Sequence, residues 1–76
     1  MRDLNLALTS LQTLFRTNGL QWLAVEVNPQ AIARPEQATV KVDNVKMLLK
    51  LRPASPPVMR KIAEAIARVE VAASFI

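Results

Sequence analysis

Six cations fall within one short interval of the chain: Lys41, Lys46, Lys50, Arg52, Arg60 and Lys61. Asp43 is the one acid among them, so residues 41 to 61 carry +5, while the rest of the chain, with four bases and five acids, carries −1. Ammonium and guanidinium groups concentrated in this way attract anions, so the expected ligand is nucleic acid or an acidic protein surface. Arg34 adds a cation in a segment flanked by Pro29 and Pro35, and Trp22 offers a flat face on which a base or an apolar side chain could stack.

Other chemistry is poorly supplied. The 76 residues contain no histidine and no cysteine, which removes the common nucleophile–base pairs and thiolate metal sites. Ser10, Ser55 and Ser74 fit a helix surface, a helix cap and a tail. Asp3 and Asp43 suit cap and turn positions, Glu64 is spaced to pair with Arg60 and Arg68, and no two carboxylates have the spacing of an acid/base pair or a metal cluster. Gly19 is the sole glycine, so no glycine-rich phosphate loop can be built. The chain is therefore expected to be non-enzymatic, with no cofactor, no metal and no small-molecule substrate.

The element expected to position the cations is a β-hairpin over Ala38–Arg52, ATVKVDNVKMLLKLR. Apolar and charged residues alternate with a period of two, and Asp43-Asn44 interrupts the alternation as a two-residue turn. In that register Ala38, Val40, Val42, Val45, Met47, Leu49 and Leu51 form an inward row. Lys41, Lys46, Lys50 and Arg52 face outward with Thr39 and Leu48 between them. Lys41 would directly oppose Lys46, an arrangement that destabilises a strand pair unless an anion neutralises it.

The remaining elements are read around this hairpin. Asp3–Asn18 reads as an amphipathic helix, with Leu4, Ala7, Leu8, Leu11, Leu14 and Phe15 on one side and a stop at Asn18-Gly19. Leu20–Asn28 reads as a strand with Leu23, Val25 and Val27 inward, which sends Trp22 and Glu26 to the lysine face; the converse choice buries Trp22. Pro29–Glu36 reads as a connector. After Pro53–Pro57, a last helix is expected over Pro56–Ala73, with Ser55 as N-cap and Val58, Ile62, Ala65, Ile66, Val69 and Ala73 as its apolar stripe. The expected fold class is thus a single α+β domain: helix–strand–strand–strand–helix, a three-stranded antiparallel meander with both helices on one face.

This order is similar to that of double-stranded RNA-binding domains. The Arg60-Lys61-Ile62-Ala63 start of the last helix resembles the basic helix N-terminus of that family. The resemblance implies phosphate contact at Arg60 and Lys61. The family's Gly-Pro-x-His element is absent, and its glycine-rich turn before the last helix is replaced here by Pro53–Pro57.

Of the residues, 51% are hydrophobic, a large share for so short a chain, and a partner or a second copy would help to bury it. No run approaches the length of a membrane span, and MRDLNLALTS lacks the apolar run of a signal peptide, so a cytoplasmic setting is expected. The leading functional expectation is a protein-binding module, an accessory subunit or inhibitor of the phage or plasmid anti-defence kind, acting through the basic open sheet face. The alternative is a nucleic-acid-binding domain using the same face and the start of the last helix. A third is a homodimer in which Trp22 and Leu48 meet their symmetry mates.

Overall fold

The computed structural model describes residues 2–20 and 34–75. They form three helices: α1, Arg2–Thr17; α2, Pro35–Leu51; and α3, Pro56–Ser74. No strand occurs among the described residues. The expected α+β fold with a three-stranded meander is therefore corrected to a helical bundle, and the likeness to double-stranded RNA-binding domains in element order is corrected with it. The strand expected over Leu20–Asn28 lies, apart from Leu20, outside the described residues.

The first helix follows the expected pattern. Leu4, Leu8, Leu11 and Phe15 are buried, Ala7 and Leu14 are half-buried or pack against them, and Asp3 lies in the first turn. Its end is a Schellman motif. The Leu20 N–H donates to the Phe15 carbonyl at 2.9 Å and the Gly19 N–H to the Arg16 carbonyl at 3.1 Å. Gly19 makes this possible with φ of 67°, a left-handed conformation that costs glycine little.

The expected hairpin is helix α2 throughout, with Asp43 and Asn44 in its middle rather than at a turn. Pro35 occupies the start of the helix, where a missing N–H is harmless, and Glu36 complements the dipole of the first turn. Ala38, Val42, Val45, Leu48 and Leu49 recur at helical spacing and are all buried. The β-branched residues of α2 cost a few tenths of a kcal/mol each in helix propensity. Burial of each large side chain returns about 1.5–3 kcal/mol. A helix also satisfies its own backbone polar groups, whereas a hairpin needs further strands to be stable.

Arg52 closes α2, its N–H donating to the Leu48 carbonyl at 2.8 Å. Its φ/ψ of −135°/79° is non-helical, as befits a residue before proline. Ser55 stands at the N-cap of α3 with extended backbone, as expected, but its side chain makes no capping hydrogen bond. Ile62, Ala65, Ile66 and Val69 of α3 are buried, with Val58 and Ala73 packed at the margin.

Helix α3 is the shared wall of the bundle, packing most extensively along α1 and less so along α2. The Arg52–Ser55 link folds α3 back antiparallel to α2, and Lys46 of α2 consequently reaches Glu70 of α3. Gly19 and Leu20, at the end of α1, border the same hollow as Leu48, Leu49 and Arg52 at the end of α2. These two helices therefore finish at one end of the molecule, where α3 begins, and α1 is also antiparallel to α3.

Candidate partner-binding surface

Turning the hairpin into a helix redistributes the residues of 38–52 that were expected on the basic sheet face. Lys41 goes inward and is only 7% exposed, and Leu48 is buried in the core. The open face shared by Lys41, Lys46, Leu48, Lys50 and Arg52 is corrected on this ground: residues two apart lie about 200° apart around a helix axis and cannot share a side. Leu48, expected to meet its symmetry mate in a homodimer, lies in the core instead. Trp22 lies outside the described residues. Arg34 is exposed at the N-cap of α2.

Lys46 is exposed and bound to Glu70 of α3 at 2.5 Å. The hydrogen bond to Glu70 raises the Lys46 pKa above its ordinary value. An exposed pair of this kind ties α2 to α3 with little net stabilisation. Lys41 has no ion-pair partner among the described residues, and burial pushes its pKa below the usual 10.5.

Lys50 and Arg52 lie at the end of α2, and Arg60 and Lys61 lie in the first two turns of α3, which starts from that end of the bundle. Arg16, in the last turn of α1, joins them there. All five are exposed, and none has an ion-pair partner among the described residues. Glu64, one helical turn after Arg60, is the nearest acid in sequence to Arg60 and Lys61 of α3. The C-terminal dipoles of α1 and α2 favour the Arg16 and Lys50 placements, while Arg60 and Lys61 stand against the positive end of α3.

Sequence reasoning missed the apolar half of this surface. Val40, Met47 and Leu51, expected in the core, stand 57%, 60% and 73% exposed. Spaced i, i+7 and i+11, they form one line on the outer side of α2, ending at the basic pole beside Lys50 and Arg52. Plotting residues 35–51 at 100° per residue separates this line from the buried one, and that signal was present in the sequence. Among the described residues no group of three or more acids is placed to hold a metal ion, and no helix is long and apolar enough to cross a membrane.

Comparison with known proteins finds no protein family, curated protein or solved structure that matches the chain.

Proposed function

We propose that this chain is a small, non-enzymatic protein-binding module, an accessory subunit or inhibitor, that takes an acidic amphipathic segment of its partner along the outer side of α2. The observation that carries the reading is the exposed line of Val40, Met47 and Leu51 running into Lys50 and Arg52. Three large apolar side chains on one solvent-facing line are the anchor pattern of helix-in-groove or helix-on-helix recognition. The adjoining cations select a partner with carboxylates at the matching end and raise its rate of encounter. The expected setting is the cytoplasm.

The test is affinity capture from the native host with the wild type, Met47→Glu and Leu51→Asp, followed by mass spectrometry and titration of the captured protein. Each variant should weaken binding about tenfold or more, the usual cost of losing an anchor. Retention of the same protein at undiminished affinity by both variants overturns the reading.

A second reading rests on a different observation, five exposed cations at one end of the bundle with no ion-pair partner among the described residues: a nucleic-acid-binding domain using Arg16, Lys50, Arg52, Arg60 and Lys61. Titration of mixed-sequence oligonucleotides against salt separates the two. Steep loss of affinity with rising salt, reduced in Arg60→Glu and Lys61→Glu but not in Met47→Glu, favours nucleic acid.

A further inference from the structure

A second surface lies between the outer sides of α1 and α3, away from α2. It is an open groove of about 510 Å³ floored by Leu6, Ala7, Ala67, Val71 and Ala72. Leu6 and Val71 are more than half exposed, and Phe75 projects at one end with 85% of its surface in solvent. Because α1 and α3 are antiparallel, Asp3 lies at the Phe75 end of the groove, and Ser10 lies with Arg68 at the other. Asp3 and Ser10 are seven residues apart, as are Arg68 and Phe75, so the acid and the base are separated by roughly 10 Å along the groove.

From this arrangement we infer that the α1/α3 groove seats a second copy of the chain in a two-fold dimer. The groove carries one acid and one base at opposite ends, so it complements itself and selects neither an anionic nor a cationic partner. It also carries a projecting aromatic at one end and small residues, Ser10 and Ala67, at the other. A two-fold axis across the middle of the groove sets Phe75 into the partner's Ser10–Ala67 hollow and Asp3 against the partner's Arg68. The same operator repeats both contacts, which is the reciprocal pattern of an isologous interface. This surface is separate from the outer side of α2 and does not rest on the function proposed above.

Sedimentation equilibrium of the full chain, from low to high micromolar concentration, tests the inference, with circular dichroism confirming that each variant keeps its helices. The wild type should associate to a dimer. Phe75→Glu should raise the dimer dissociation constant at least about tenfold, as loss of a central aromatic anchor does. Asp3→Arg and Arg68→Asp should each weaken the dimer by roughly three- to tenfold, through like charges brought together. The two reversals combined should recover it to within about threefold of the wild type. Met47→Glu, on α2, should leave it unchanged. A wild-type chain that stays monomeric overturns the inference, as does a dimer indifferent to Phe75→Glu. A double reversal as weak as the singles overturns the two-fold pairing.

Discussion

At the scale of single residues, Lys41 shows most directly what the helical α2 costs. It sits between Ala38 and Val45 on the inward side with its pKa lowered by burial. Between its folded pKa and 10.5, the unfolded chain holds the proton and the folded chain does not, so stability rises with pH across that window. Below the folded pKa both states are protonated and the full penalty of a buried ammonium remains. Lys41→Met should therefore stabilise the protein at neutral pH by on the order of 1 kcal/mol. It should also flatten the rise in stability toward pH 10.5 that the wild type shows in denaturant unfolding. A variant no more stable than the wild type at neutral pH would place the ammonium in water. Lys41 could not be recognised as buried from the sequence, because alternation with Val40 and Val42 marks it as outward in a strand. Its spacings of three from Ala38, four from Val45 and seven from Leu48 put it on the inward side of a helix.

At the scale of elements, α1 and α3 were legible and α2 was not. In α1 the apolar residues fit a helix and nothing else, and Gly19 marks its end. In α3 the prolines at its start and the run from Ile62 to Val69 leave one periodicity. In α2 the same residues satisfy both periods. Ala38, Val40, Val42, Val45, Met47, Leu49 and Leu51 make a strand row when read in twos around a turn. Read at 100° per residue, Ala38, Val42, Val45 and Leu49 go inward and Val40, Met47 and Leu51 go outward. A strongly amphipathic helix would have had polar residues at those last three positions. Their apolar character both disguised the helix and supplies the proposed binding line. Asp43 discriminates the two structures. At a hairpin turn Asp43→Ala is destabilising; in the middle of α2 it removes a poor helix former and should stabilise by about 0.5 kcal/mol. Thermal unfolding of the variant reads the sign directly.

At the scale of the whole molecule, stability rests on a small core in which α3 touches α1 and α2. Leu4, Leu8, Leu11 and Phe15 of α1 meet Ile62 and Val69, all of them essentially without solvent exposure. Ile62→Ala leaves a cavity at that junction and should cost about 2–5 kcal/mol. A domain of this size has little more than that in total, so the variant should be largely unfolded at 37 °C by circular dichroism. Val40→Ala, at an exposed position of similar chemistry, should be close to neutral in the same assay.

The sequence alone determined that the chain carries an excess of cations within one interval and contains neither histidine nor cysteine, because charge and residue type do not depend on folding. Local periodicity determined two of the three helices among the described residues, because a helix with one apolar stripe has one way to bury it. The fate of residues 35–51 was decided by packing: against α3, the helical stripe buries five apolar side chains while the helix satisfies its own backbone. Tertiary structure alone likewise placed the end of the first helix, with Arg16, at the same end of the bundle as the start of the last, with Arg60 and Lys61, since only the direction in which each helix runs determines which ends meet.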